Sequence, residues 1–113
     1  MTLRELLNET VSKFNKKILE DEKLRQELVG IKKRVLIDLG EEKYNFMLEN
    51  CMISQVIEGE IPEPDITVIS DPVTFEGVLT RKIKPMKAWA LRKIVFKGSI
   101  EDLMHLRSLL QFN

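Results

Sequence analysis

The sequence predicts an α+β domain in which helices pack on one face of a five-stranded mixed sheet. Three observations support this. A helical apolar stripe opens the chain, short apolar runs with the period of a strand fill its middle, and helical segments with one more strand follow. Strands clustered first and helices later are typical of this class. Because 113 residues suit one core, residues 1–113 are expected to form a single domain.

The first element is an amphipathic helix. Thr2 and Glu5 have the spacing of a capping box, which marks a helix start. The apolar residues that follow recur at intervals of three and four: Leu3, Leu7, Val11, Phe14 and Ile18. The charged stretch 20–23 interrupts this stripe, which resumes at Leu24 and stops near Gly30. Two helical pieces or one kinked helix are expected.

The period then changes from helical to extended. Val35, Ile37 and Leu39 alternate along one face of a strand, and residues 40–42 have the composition of a turn. Two further apolar runs follow at residues 44–48 and 52–57. Because the connections between the three runs are short, they are predicted to form an antiparallel meander.

A crossover separates this meander from the rest of the chain. Residues 60–64 contain two prolines, which cannot donate to a sheet ladder, so this segment is a connection. Residues 66–69 form the fourth predicted strand. Asp71 and Pro72 then supply a helix cap and a proline suited to the first helical position.

The last third adds two helices and a strand. Pro85 opens a short helix, residues 93–97 form the fifth predicted strand, and Ser99 caps a final helix. The apolar stripe of that final helix comprises Ile100, Leu103, Leu106 and Leu110. The predicted order is therefore α-β-β-β-crossover-β-α-α-β-α.

The sequence contains no catalytic or metal-binding signature. His105 is the one histidine and Cys51 the one cysteine, so neither a Cys/His metal site nor a Cys–His catalytic pair is indicated. No cofactor motif is present, and the chain is predicted not to be an enzyme. The single cysteine excludes an intrachain disulfide, and no apolar run is long enough to span a membrane. Cytoplasmic location is the default expectation.

Positive charge is concentrated in one stretch. Between Glu76 and Glu101 no acidic residue occurs. The cations of this stretch are Arg81, Lys82, Lys84, Lys87, Arg92, Lys93 and Lys97. The stretch is either a solvated rim or a surface that attracts an anionic head group, a coenzyme phosphate or a membrane.

Apolar residues alternate with these cations in greater number than one short helix needs. They are Val78, Leu79, Ile83, Met86, Ala88, Trp89, Ala90 and Leu91. The pattern alone fits either ordinary core or a ligand pocket.

Four motifs in the C-terminal half resemble the sterol carrier protein type two family of small lipid-binding domains. They are Pro64-Asp65, Thr74-Phe75, Pro85-Met86-Lys87-Ala88 and Lys97-Gly98, in the same order as in the family. The N-terminal half agrees in its order of elements. The resemblance implies a five-stranded sheet covered by helices, with an apolar tunnel between them for fatty acyl chains, sterol-like or acyl-CoA-like ligands, and no catalytic residues.

The resemblance assigns two groups of site residues. The expected lipid-binding residues are Phe75, Val78, Leu79, Ile83, Met86, Trp89, Ala90, Leu103, Leu106 and Leu110. The expected head-group or anion contacts are Arg81, Lys82, Lys87 and Arg92. Arg81 and Arg92 stand where relatives commonly have glycine, so they are expected to influence ligand choice.

The leading hypothesis is therefore non-catalytic binding or carriage of lipid or another apolar small molecule, with transient contact to an anionic membrane surface or a partner enzyme. One alternative is an interaction module whose cationic stretch binds an acidic protein or nucleic acid. Because Trp89 and Phe96 are the only aromatics near the cations, nucleic acid is not the expected partner. Another alternative is an accessory subunit of an acyl-metabolising complex.

Overall fold

A computed structural model describes residues 2–104 of the chain. The described helices and strands are α1 (Leu3–Glu20), α2 (Glu22–Leu28), β1 (Lys33–Asp38), β2 (Lys43–Glu49), β3 (Met52–Ile53), β4 (Ile57–Glu58), β5 (Ile66–Ser70), α3 (Pro72–Leu79), α4 (Pro85–Ala90) and β6 (Ile94–Lys97). Residues 100–104 are also helical, as predicted for the start of the final helix. The overall α+β order predicted from the sequence is confirmed.

Side-chain caps define the two N-terminal helices. The Thr2 hydroxyl accepts the Glu5 N–H at 3.1 Å, and the Glu5 carboxylate accepts the Thr2 N–H at 3.4 Å, which completes the predicted capping box. At the other end, the Asp21 N–H donates to the Lys17 carbonyl, while its carboxylate accepts the Leu24 N–H. Asp21 therefore ends α1 and begins α2, and the predicted break gives two separate helices.

The sheet is mixed, with strand order β3-β2-β1-β5-β6. β1 is central and pairs antiparallel with β2 and parallel with β5, which the crossover at residues 60–64 makes possible. β6 pairs antiparallel with β5. Asn50 and Cys51 join β2 to β3 with φ of 54° and 57°, the left-handed pair typical of a two-residue hairpin turn.

The third apolar run differs from the prediction of one strand over residues 52–57. It forms β3 and β4, which both pair with β2 at the same edge of the sheet. Between them, the Ser54 N–H donates to the Met47 carbonyl and the Ser54 hydroxyl accepts the Met47 N–H, each at 2.8 Å. Val56 turns inward and is 2% exposed. The edge strand is split because this local bulge carries Val56 into the core.

The core lies between one face of the sheet and the helices, as predicted. Alternating residues of β1 and β5, such as Val35 and Val68, pack with residues of α1, α3 and α4, including Leu7, Phe75 and Ala88. A second cluster lies where α1 meets α2. Its buried members are Ile18, Leu24, Leu28 and Leu48. The two clusters fix the helices on the core face.

Candidate functional site

Four of the predicted lipid-binding residues converge on the core face of the sheet. Phe75 is buried, and Val78, Leu79 and Ile83 are partly buried against the same cluster. Helix α3 presents the first three because Asp71 and Pro72 fix its start. All four side chains pack in one apolar cluster, and we call them the apolar wall.

Gly77 allows Ile83 to reach this wall. A Cβ at Gly77 would lie 2.5 Å from Cδ1 and 2.9 Å from Cγ1 of Ile83. The Gly77 carbonyl also accepts the N–H groups of Lys82 and Ile83, at 2.9 and 3.0 Å. The loop after α3 therefore packs against the helix at Gly77. Ile83 fills the space that a side chain at Gly77 would occupy.

Helix α4 places its predicted lining residues differently. Ala88 is 1% exposed, whereas Met86 and Trp89 are 38% and 52% exposed, and Ala90 is also exposed. The structure therefore separates Met86, Trp89 and Ala90 from the apolar wall, whereas Ala88 packs in the same cluster as that wall.

The end of the predicted site is only partly described. Leu103 is partly buried, and Leu106, Leu110 and His105 lie outside the described residues. The final helix begins at a cap in which the Ser99 hydroxyl accepts the Asp102 N–H at 3.1 Å.

Sequence reasoning missed the contact that anchors the final helix. Lys33 Nζ, at the start of β1, lies 2.9 Å from Oδ1 of Asp102, whose side chain is 7% exposed. This hydrogen bond raises the pKa of Lys33 above its ordinary value. The two residues are far apart in sequence, and no local pattern marks such a pair. The contact joins the start of the final helix to the start of β1.

The predicted head-group contacts are all exposed: Arg81, Lys82, Lys87 and Arg92. Within residues 2–104, none of them forms an ion pair with a carboxylate. Arg81 and Arg92 have φ of 65° and 58°, a backbone conformation that glycine adopts more easily than any other residue. This conformation gives a physical reason for glycine at either position in a relative.

A groove of about 300 Å³ lies between α1 and the split edge strand. It is lined by Asn8, Val11, Ser12, Asn15, Ile53, Ser54, Gln55 and Val56. Asn15 exchanges two hydrogen bonds with the backbone of Ile53, at 2.8 and 3.0 Å. The Asn15 side chain therefore joins the edge strand to α1.

Within residues 2–104, no three histidine, cysteine or acidic side chains are grouped so that they could hold a metal ion. Cys51 is partly buried, and its Sγ lies 3.6 Å from the carbonyl oxygen of Arg25. None of the described helices is long and apolar enough to cross a membrane.

The sequence profile of the SCP-2 sterol transfer family matches residues 12–111. No curated protein sequence matches the chain significantly. Among solved structures, the palmitated SCP2L2 protein from Aedes aegypti is 14% identical with a TM-score of 0.68, and the alignment covers 97% of this chain and 95% of that one.

Two other similar structures come from different settings. The UbiJ-SCP2 ubiquinone synthesis protein is 15% identical with a TM-score of 0.62 over 100% of this chain and 98% of that one. The sec-alkylsulfatase Pisa1 from Pseudomonas sp. is 17% identical with a TM-score of 0.58, and the alignment covers 76% of this chain but 13% of the sulfatase. At these identities the likeness shows the fold alone. In the sulfatase, this fold is a small part of a much longer chain.

Proposed function

Because the chain belongs to the SCP-2 sterol transfer family, we propose that it binds lipid between the core face of its sheet and the covering helices. The observation that carries the proposal is the family match together with the apolar wall of Phe75, Val78, Leu79 and Ile83. The expected ligands are fatty acyl chains and sterol-like or acyl-CoA-like molecules. The final helix, through Leu103, is proposed to cover the same space.

Hydrocarbon burial would supply most of the binding energy. Each methylene removed from water contributes about 0.8 kcal/mol, so even part of an acyl chain binds usefully. The wall offers no buried charge to select a head group, which favours loose specificity. A similar solved structure is described as palmitated, and this makes palmitate the first ligand to test.

We propose that the domain itself carries or presents lipid without catalysing a reaction. Similar folds occur within an alkylsulfatase and in a ubiquinone synthesis protein. These two settings favour a second candidate function, in which the domain holds an apolar substrate for an enzyme that acts on it. Copurification of such an enzyme with the full chain would distinguish this accessory role from carriage alone.

The direct test is native mass spectrometry of the purified protein, followed by displacement of a fluorescent fatty-acid analogue by palmitate. A lipid adduct and saturable displacement are expected. Absence of both an adduct and saturable binding would contradict the proposal.

A matched pair of variants on α3 tests the location. Val78 is partly buried against the core, whereas Val73 is 78% exposed on the same helix. Val78→Asn is expected to weaken palmitate binding about tenfold, because it puts an amide against the hydrocarbon. Val73→Asn is expected to leave binding unchanged. Circular dichroism would verify that both variants fold, and equal effects of the two substitutions would argue against this wall as the site.

A further inference from the structure

Helix α4 directs apolar side chains away from the core. Ala88 is 1% exposed and packs on the core, while Met86, Trp89 and Leu91 are 38%, 52% and 58% exposed. Ala90, four residues after Met86, is exposed too. A surface helix normally shows mainly polar residues on its outer side, so the number of exposed apolar side chains here is unusual.

Cations surround these apolar side chains along the chain. Lys87 lies within the helix, Arg81, Lys82 and Lys84 precede it, and Arg92 follows it. All five are exposed, and within residues 2–104 none forms an ion pair. Lys93 is left out of this group because Asp71 lies close enough to interact with it. We call these five cations, with Met86, Trp89 and Leu91, the α4 surface.

Arg81 and Arg92 share a backbone conformation. Arg81 follows the C-cap of α3 and Arg92 follows the C-cap of α4, and both adopt the left-handed conformation, with φ of 65° and 58°. In each case the arginine N–H and the N–H of the next residue donate to carbonyls at the helix end, which is a common left-handed helix termination that glycine most often occupies. The two exposed arginines therefore stand where the end of a helix favours glycine, and they place one positive charge before α4 in the chain and one after it.

We propose that the α4 surface docks on an anionic phospholipid bilayer. Trp89, Met86 and Leu91 enter the interfacial region, and the cations contact the phosphate and carboxylate groups of the lipids. Exposed apolar side chains with Trp among lysines and arginines are the pattern of an interfacial helix, and anionic lipids attract such cations. Because α4 is short, docking is peripheral and reversible. Docking extends the proposed function but does not require lipid inside the domain.

Sedimentation with vesicles tests this directly. The full chain is expected to bind phosphatidylcholine vesicles that contain phosphatidylserine, to bind pure phosphatidylcholine vesicles weakly, and to dissociate as salt rises. Trp89 is the only tryptophan, so its emission should shift to shorter wavelength on binding. Binding without a Trp89 shift would mean that another surface docks, and would overturn the proposal. Absence of binding would do the same.

The double variant Arg81→Gly, Arg92→Gly removes two charges and gives the backbone the residue that its φ values favour, so folding is expected to be retained. Binding to phosphatidylserine vesicles should weaken roughly thirtyfold, at the usual contribution of each cation near a membrane. The matched control, Lys16→Ala with Lys23→Ala, removes two exposed cations from α1 and α2. Equal weakening by both pairs would indicate net charge alone and would overturn the proposal.

Three further outcomes distinguish membrane docking from binding of an acidic protein and from the proposed lipid-binding function. Binding to soluble polyglutamate as strong as binding to the vesicles would assign the α4 surface to an acidic protein and overturn membrane docking. Palmitate binding without vesicle binding would leave the proposed function standing and remove the docking surface. Vesicle binding without a copurified or displaceable lipid would support the docking surface and contradict the proposed lipid-binding function.

Discussion

Asp71 connects strand β5 to helix α3 through one carboxylate. Its Oδ1 accepts the Thr74 N–H and its Oδ2 accepts the Thr74 hydroxyl, each at 2.7 Å. The backbone hydrogen bond from Thr74, with the one from its side chain, holds the pKa of Asp71 below its ordinary value. Since α3 carries Phe75 and Val78, this cap positions the apolar wall.

Asp71→Ala is expected to reduce the free energy of unfolding at neutral pH by about 1 kcal/mol, because it leaves the first turn of α3 uncapped. The lowered pKa means that the carboxylate stabilises the fold above the ordinary carboxyl pKa, and that this is lost as the pH falls through the folded value. Urea unfolding at several pH values checks both. Asp71→Asn keeps an acceptor and should lose less stability, with a flatter acid dependence. If the stability of either variant fell with acid as steeply as that of the unsubstituted protein, the prediction would be contradicted.

At the scale of elements, local signals were sufficient wherever a boundary depends on neighbouring residues. The capping box at Thr2 and the helix starts at Pro72 and Pro85 were predicted because caps and prolines act within one turn. The charged stretch 20–23 predicted an interruption but left two helices or one kinked helix open, and the caps at Asp21 show that there are two helices. The division of residues 52–57 into β3 and β4 was not, because it depends on Met47 and on space for Val56 in the core.

The orientation of α4 could not be predicted from the sequence either. Its six residues contain apolar side chains on every side, so periodicity could not show that Ala88 faces the core while Met86 and Trp89 face outward. Helix α4 contacts both β6 and α3, and these tertiary contacts bury Ala88. The predicted lipid-binding residues are therefore divided between the apolar wall on the core face and the exposed side of α4.

The contact between α3 and the loop that follows it depends on Gly77. Gly77→Ala should gain about 1 kcal/mol of helix propensity but lose more, about 2 kcal/mol, from overpacking against Ile83. A net loss of stability is expected in thermal or urea unfolding. Adding Ile83→Val removes the Cδ1 atom nearest the new methyl group, so the double variant should be more stable than the sum of the two single changes predicts. A more stable Gly77→Ala protein would show that Ile83 moves aside without cost.

At the scale of the molecule, charge and packing are divided between regions. Residues 77–100 hold seven cations and no acidic residue, so the remainder has eleven basic and eighteen acidic residues. One end of the described final helix is held by the Lys33–Asp102 pair. The described residues thus combine an apolar wall, a cationic outer surface and an anchored helix start, and the anchor links the last segment to the sheet.

Asp102→Asn keeps the size of the buried side chain but removes the charge that pairs with Lys33. Hydrogen exchange of residues 101–104 is expected to accelerate severalfold, because the start of the final helix opens more often while the sheet stays protected. Glu49→Gln breaks the Lys32–Glu49 pair, whose 3.6 Å contact is largely exposed, and should leave exchange unchanged. If the final helix covers the lipid, Asp102→Asn should also release palmitate faster. Faster exchange throughout β1 would instead mean that the pair stabilises the whole sheet, and would contradict the assignment of a local anchor.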